Sequence, residues 1–212
     1  MTGKFISLEG GEGSGKSTAI ICIQRWLDAE NIDYIMTREP GGTVLAEEIR
    51  GLILASRDEA VDDMTELLLM FAARAQHMSQ KIRPALEQGL WVISDRFIDS
   101  SFVYQGRARG GDTEKLNTLT EWVVGDNKPD ATLLLDVPVD IGMQRVADRK
   151  NADRLDKESI EFHEKVRQGF LEQADLEPER IKVIDASQPL EQVSAQIVTQ
   201  LDALKTAWKR GV

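Results

Sequence analysis

The most informative stretch of this sequence reads Gly10-Gly11-Glu12-Gly13-Ser14-Gly15-Lys16-Ser17-Thr18, and its first eight residues fit the pattern G-x-x-x-x-G-K-[ST]. Glycines let backbone N–H groups turn inward around phosphate oxygens, the lysine reaches the terminal phosphates, and the serine hydroxyl binds Mg²⁺. FISLE precedes the pattern as a predicted strand, and STAIICIQRWL follows as a predicted helix whose N-terminus faces the anion. The stretch Gly10–Thr18 is therefore predicted to be a P-loop that binds a nucleoside triphosphate.

Short apolar runs that indicate buried strands alternate along the chain with segments of helical periodicity. Strands alternating with helices favour a parallel sheet covered on both faces. We predict a three-layer α/β fold of the P-loop NTPase type, with five parallel strands flanked by helices. One domain spans residues 1–212, with a short mobile lid at about residues 148–157. The predicted strands are Phe5–Leu8, Asp33–Thr37, Leu90–Ser94, Ala131–Asp136 and Ile181–Asp185.

Composition narrows the classes of partner. The chain has 212 residues and a formal net charge of −10, and such a surface repels nucleic-acid phosphates. No apolar run approaches the ~20 residues that a membrane-spanning helix needs, and the N-terminus lacks the apolar core of a signal peptide. Cys22 is the single cysteine, so no intrachain disulfide can form. We expect a cytoplasmic protein that binds neither nucleic acid nor membranes.

Two aspartates end predicted strands and are candidates to assist a metal ion. Asp95 follows LWVIS and directly precedes Arg96, and ligands bind at the carboxyl ends of parallel strands. We therefore predict Ser17 and Asp95 as Mg²⁺ ligands. For Asp136, which follows ATLLL, a turn or helix-cap role explains the position as well as a direct role does.

The P-loop alone does not define the reaction, because kinases, GTP switches and motor ATPases share it. Asn127–Asp130 matches the guanine-reading N-K-x-D of GTPases, but it precedes a predicted strand instead of following one, so we interpret the match as accidental. A kinase needs a second anionic pocket. Phe71 and Arg74 offer a stacking surface and a fork of donors on one helix face, although a core phenylalanine beside a surface arginine has the same spacing. Further candidate segments are Thr37–Thr43 (TREPGGT), Asp95-Arg96 and Ser100–Gln105.

Together these segments resemble the thymidylate kinase family over nearly the whole chain. The resemblance covers EGGEGSGKST, TREPGGT, LLLMFAARAQH, DRF, YQG, PDATLLLDVP, and ADRKNADR followed by FHEKVRQGFLE. It implies a homodimeric enzyme of the bacterial type that phosphorylates dTMP to dTDP with ATP and Mg²⁺, a step of dTTP biosynthesis. The alternatives are another nucleoside-monophosphate or deoxynucleoside kinase and, from a different class, a P-loop switch or binding ATPase.

The resemblance also implies which residues hold the nucleoside of dTMP. Phe71 stacks on the thymine ring and Arg74 donates to a ring carbonyl. Ser101 lies near the ring N3–H, where relatives carry Asn or Thr, and Gln105 completes that pocket. Tyr104 lies under the deoxyribose and disfavours a 2′-hydroxyl.

The remaining implied roles concern the phosphates. Arg38 and Arg96 grip the acceptor phosphate, Glu39 belongs to the same acceptor site, and Glu12 approaches the sugar 3′-hydroxyl region. In some relatives a basic residue follows the P-loop acid and contacts the transferred phosphate, but here that position is Gly13. The chain thus resembles the arrangement in which the lid supplies the catalytic arginine. The predicted catalytic residues are Lys16, Glu12, Arg96 and Arg149.

Overall fold

The computed structural model describes residues 3–147 and 158–210, and an all-parallel sheet lies at its centre. The strands are β1 (Phe5–Glu9), β2 (Tyr34–Arg38), β3 (Trp91–Asp95), β4 (Ala131–Asp136) and β5 (Ile181–Asp185). Their order is β2-β3-β1-β4-β5, so β1 lies in the middle with β3 and β4 beside it. Because all five strands are parallel, the loops that leave β1, β3 and β4 meet at one edge of the sheet.

Helices cover both faces of this sheet. They are α1 (Lys16–Ala29), α2 (Val44–Leu54), α3 (Asp63–His77), α4 (Arg83–Glu87), α5 (Ile98–Ser101), α6 (Thr113–Val123), α7 (Val139–Ala147), α8 (Ile160–Leu176) and α9 (Leu190–Arg210). The stretches Met78–Ile82 and Phe102–Ala108 have π-helical hydrogen bonding and continue α3 and α5.

The core explains why these runs form strands. Side chains alternate across β1: Ile6 and Leu8 pack with Ile23 of α1 on one face, whereas Phe5 packs against Phe97 on the other. The Phe5 and Phe97 rings meet edge to face, with centroids 4.8 Å apart. A strand buried on both faces carries a continuous apolar run, which is the pattern that the sequence shows. The predicted three-layer α/β fold with five parallel strands is confirmed.

Helix α3 begins at Asp63, and Asp62 is its N-cap. The side chain of Asp62 accepts hydrogen bonds from the backbone N–H groups of Met64 and Thr65 and so caps α3. Capping by Asp62 leaves Glu66 without a capping role, and this side chain is buried. Thr43 is the N-cap of α2, since its side chain accepts from the backbone N–H of Ala46.

The predicted strand bounds and the predicted lid have different outcomes. The bounds of the predicted strands differ from the observed ones by at most one residue. The predicted lid at residues 148–157 lies outside the described residues. Among the helices that the structure does describe, none is both long and apolar enough to cross a bilayer.

Candidate active site

A cavity of about 220 Å³, here called the main cavity, opens at the carboxyl edge of the sheet. Ligands bind at this edge in open parallel sheets, because the loops leaving neighbouring strands diverge there. The structure therefore brings the phosphate cradle and much of the predicted acceptor site into one place. Of the residues predicted from the sequence, the wall contains Glu12, Gly13, Ser14, Gly15, Lys16, Ser17, Glu39, Asp95, Arg96, Tyr104 and Gln105.

Lys16 lies inside the turn that the glycines form. Its Nζ donates to the backbone oxygens of Gly10 at 3.0 Å and Gly11 at 3.1 Å, and to Ser14 Oγ at 3.3 Å. Burial, together with the charge of Arg96, lowers the pKa of Lys16 to about 8. An ammonium group held in a buried, electropositive position favours a phosphate ligand, which would offset both costs.

Arg96, Glu12 and Tyr104 form one hydrogen-bonded cluster in the cavity. Glu12 Oε1 accepts from Arg96 Nη2 at 2.7 Å and from the Tyr104 hydroxyl at 2.9 Å. Burial alone would raise the pKa of Glu12, but the charges of Arg96 and Lys16 outweigh it and lower that pKa to about 2. The Arg96 guanidinium also lies over the Tyr104 ring, 5.0 Å from its centroid. Three of the predicted side chains therefore position one another.

A buried carboxylate at the end of β1 supports this cluster. Glu9 Oε1 accepts from the backbone N–H groups of Phe97 at 2.8 Å and Ser100 at 3.3 Å. Glu9 Oε2 accepts from Ser100 Oγ at 2.6 Å, and the same hydroxyl accepts from Arg96 Nη1 at 3.1 Å. Arg96 itself has a positive φ of 66°, a conformation rare for residues other than glycine. Glu9 thus holds the strained turn that presents Arg96.

Arg74 belongs to a second buried network. Its Nε donates to Glu39 Oε2 at 2.7 Å, and its Nη2 donates to the backbone oxygen of Phe97 at 3.1 Å. His77 lies 3.0 Å from the other Glu39 oxygen and 2.6 Å from Thr37 Oγ1. The guanidinium is therefore held on two sides, while its third nitrogen, Nη1, has no hydrogen-bond partner.

Buried polar atoms without a hydrogen-bond partner are rare in proteins and call for an explanation. In the described part of the chain, four of the five such side-chain atoms belong to predicted site residues. They are Arg74 Nη1, Asp95 Oδ1, Ser101 Oγ and Gln105 Oε1, and the fifth is His163 Nε2.

Four of the predicted acceptor residues do not line this cavity: Arg38, Phe71, Arg74 and Ser101. Phe71 is 2% exposed and packs in the core with Leu67 and Phe97, while the Arg74 guanidinium lies 4.8 Å from its ring centroid. Arg38 is largely exposed and pairs with Glu47 at 2.8 Å, beside a separate open cavity. Arg38 and Arg96 thus line different cavities, and the Arg38 guanidinium is paired with Glu47.

Comparison with known proteins agrees with this geometry. The family model described as thymidylate kinase matches residues 8–197. A thymidylate kinase of Marinomonas sp. (strain MWYL1) is 68% identical over 208 residues, covering 98% of each chain. A thymidylate kinase of Alcanivorax borkumensis is 48% identical over 208 residues, covering 98% of this chain and 100% of the relative.

The chain belongs to the thymidylate kinase family. It is accordingly a kinase, and the alternatives of a switch or a binding ATPase are set aside.

On the other side of its P-loop, this member of the thymidylate kinase family has a second cavity, of about 240 Å³. Ser14 and Gly15 line both cavities, and Thr18 lines only the second. Arg145 of α7 crosses this region, donating to the backbone oxygens of Gly13 at 3.3 Å and Ala186 at 3.1 Å. The P-loop therefore lies between two adjoining cavities.

Close packing explains the glycine at position 13. Gly13 has a φ of 69°, and a Cβ there would overlap the carbonyl group of Gly142 in α7. A Cβ at Gly142 would in turn lie 2.5 Å from the backbone oxygen of Glu12. The P-loop and α7 thus touch through backbone atoms, which excludes a basic side chain from position 13. Arg149, the predicted lid arginine, lies outside the described residues.

The predicted magnesium ligands suit that ion. Ser17 and Asp95 both line the main cavity, and Asp95 Oδ1 is buried without a partner. Mg²⁺ in kinases is held by few protein oxygens together with phosphates and water, so these donors fit it. Among the described residues, no group of three or more His, Cys, Asp and Glu side chains could hold a metal ion.

Asp136 and the Asn127–Asp130 segment have structural roles. Asp136 forms a two-pronged ion pair with Arg167 of α8, at 2.8 and 2.9 Å, which favours the structural explanation of this residue. Asp130 binds Lys4 Nζ and the backbone N–H of Phe5 at 2.8 Å each, at the amino edge of the sheet. The Asn127–Asp130 match to the guanine-reading motif is thus remote from the phosphate cradle.

Sequence reasoning missed Glu9, Glu66 and Arg145. Glu9 directly precedes the P-loop, and Arg145 shortly precedes the predicted lid, so their sequence positions were a usable signal. Glu66 carried a weaker one: it precedes Arg74 by eight residues, and so shares its face of α3.

Proposed function

We propose that this chain transfers the γ-phosphoryl group of ATP to the phosphate of dTMP, giving ADP and dTDP for dTTP biosynthesis. The observation that carries the proposal is the set of unpartnered buried atoms on residues of the predicted site. A donor from Arg74, an acceptor from Gln105 and a hydroxyl from Ser101 suit the edge of a pyrimidine that presents a carbonyl and a ring N–H.

ATP binds across the P-loop. Gly10–Thr18 hold its phosphates, Lys16 reaches the terminal ones, and the nucleoside occupies the cavity beside Thr18 and Arg145. Ser17 and Asp95 hold Mg²⁺, which neutralises developing phosphate charge when it is bound.

The dTMP lies in the main cavity. Arg96 binds its phosphate, and Arg38 joins after exchanging Glu47 for that phosphate. Arg74, held by Glu39, donates to the ring carbonyl. Phe71 remains our proposed stacking partner for the ring, on the strength of the family resemblance. Tyr104 lies under the deoxyribose, with Glu12 beside the sugar 3′-hydroxyl; Ser101 and Gln105 bind the ring edge.

The reaction is an in-line displacement. An oxygen of the dTMP phosphate attacks the γ-phosphorus, the bond to the β–γ bridging oxygen breaks, and ADP leaves with that electron pair. The attacking oxygen already carries negative charge, so the protein contributes positioning and charge stabilisation. Lys16, Arg50 and Arg96 are the described cations that line the main cavity, and we propose that Arg149 supplies a further one.

We also propose a cytoplasmic homodimer. Large apolar side chains are exposed on α2, α3 and α6, which pack side by side. Leu45 and Leu52 lie seven positions apart on α2, and Leu68 and Trp122 lie on the next two helices. A continuous apolar surface of this kind marks protein–protein contact.

The direct test is a coupled kinase assay with ATP and Mg²⁺ across the nucleoside and deoxynucleoside monophosphates. We expect dTMP to be the best acceptor, and Lys16→Ala to abolish turnover without changing the melting temperature much. A clear preference for UMP or CMP, or for an unphosphorylated deoxynucleoside added to the same assay, would contradict the proposal and favour another nucleoside-monophosphate or deoxynucleoside kinase. Equal turnover by Lys16→Ala would remove the P-loop from the mechanism.

A further inference from the structure

Gln105 lines the main cavity with one end of its amide free. Its Nε2 donates to Glu66 Oε1 at 2.9 Å, and its Oε1 is buried without a hydrogen-bond partner. An amide can be turned by 180° at little steric cost, and the turned amide would present two N–H donors to the ligand instead of an acceptor. What Gln105 can bind therefore depends on what prevents this rotation.

The Glu66 carboxylate prevents it. Glu66 is 2% exposed, and a turned Gln105 would place its carbonyl oxygen against a buried carboxylate that can only accept. The carboxylate pairs with Arg109, whose Nε lies 3.3 Å from the same Oε1. Arg109 is held in turn by Glu158 at 2.9 Å. One side of the amide is thus fixed as the donor side, and the cavity receives the acceptor.

We propose that Glu66 is the positioning residue by which this enzyme separates thymine and uracil from cytosine. Thymine and uracil carry N3–H, which donates to Gln105 Oε1, whereas N3 of cytosine is an acceptor and meets that oxygen with repulsion. The Ser101 hydroxyl cannot make the distinction, because it both donates and accepts. Arg74 reads the neighbouring ring position, so Glu66 and Gln105 carry only part of the selectivity.

This inference rests on the proposed function, since it concerns the acceptor of the same reaction. Its test compares kcat/KM for dTMP, dUMP and dCMP in the wild type and in Glu66→Gln, whose neutral amide accommodates either orientation of Gln105. We expect the ratio of kcat/KM for dUMP to that for dCMP to fall by roughly ten-fold, an effect within the range for a single mismatched buried hydrogen bond. The change should lie mainly in KM.

Two further variants give the test its controls. Glu158→Gln removes a different carboxylate from Arg109 without touching Gln105, and should keep the wild-type ratio. The double variant Glu66→Gln/Gln105→Glu rebuilds the contact in reverse, with residue 66 donating and residue 105 still presenting an oxygen to N3–H. It should recover most of the selectivity, which repair of packing alone would not explain.

The wild-type protein provides a measurement that does not depend on a variant folding. In ¹⁵N NMR spectra the Gln105 side-chain NH₂ signals should move little when dTMP is added, because Nε2 stays on Glu66. A large shift of these signals, or an unchanged dUMP-to-dCMP ratio in folded Glu66→Gln, would overturn the role of Glu66. Failure of the wild type to phosphorylate dTMP would instead overturn the proposed function.

Discussion

Glu9 shows how one buried acid links the end of a strand to Arg96. Burial, reinforced by the nearby Asp99 carboxylate, raises the pKa of Glu9 to about 7 from an ordinary value of 4.5. The folded protein thus holds this proton more tightly than the unfolded chain does. Its contribution to stability is fully present below about pH 4.5 and is lost as the pH rises through about 7.

Glu9→Gln should therefore change the pH dependence of unfolding. The variant cannot ionise, so its stability relative to wild type should increase between about pH 5 and pH 8, by up to about 3 kcal/mol. Urea unfolding of both proteins at the two pH values measures this difference. Glu161→Gln, at an exposed position on α8, serves as the control and should show little change. A difference between Glu9→Gln and wild type that stays constant with pH would contradict the protonation of Glu9.

The contact between the P-loop and α7 limits where a catalytic cation can come from. Gly13 and Gly142 approach so closely that neither position has room for a Cβ. Arg145 fills the remaining space by binding the backbone oxygens of Gly13 and Ala186. A further cation for the transferred phosphate must therefore come from another segment, and the segment after α7 contains Arg149 and Arg154.

We predict that Arg149→Ala lowers kcat by roughly 10³-fold, by analogy with arginine fingers, with dTMP affinity nearly unchanged. Arg149→Lys should restore only part of the rate, because an ammonium cannot reproduce a planar two-pronged contact. Steady-state kinetics with a melting curve for each variant provide the measurement. A slightly lower melting temperature with normal kcat would mean that Arg149 only caps α7, and Arg154 would be tested next.

Helices α2, α3 and α6 expose large apolar side chains at the surface of the molecule. Trp122 is 77% exposed and Leu68 51%, an unfavourable state for a monomer in water. We expect the wild type to have a mass near twice 23.7 kDa by light scattering. Trp122→Glu combined with Leu68→Glu should give monomers, whereas Leu176→Glu, at an equally exposed apolar position on α8, should not. A monomeric wild type would contradict the homodimer.

Much of the fold was predictable because its signals are local. Burial on both faces imposes apolar runs on β1, β3 and β4, and the P-loop requires glycines in consecutive sequence positions. The strand after α1 was the weakest signal, since the residues of β2 are only partly buried at the sheet edge. The candidate site was predictable where a residue type matches its chemistry, as for Lys16, Asp95 and Arg96.

Sequence by itself determined the P-loop segment, the parallel α/β architecture and the family resemblance, since each rests on residues that are neighbours in the chain or repeat with a fixed period. Only the tertiary structure decided which polar groups meet. It paired Glu9 with Ser100 and Glu66 with Gln105, turned Arg38 toward Glu47, and placed Phe71 behind Arg74. These contacts join residues far apart in sequence. Their geometry follows from how the helices pack on the sheet, which no local pattern encodes.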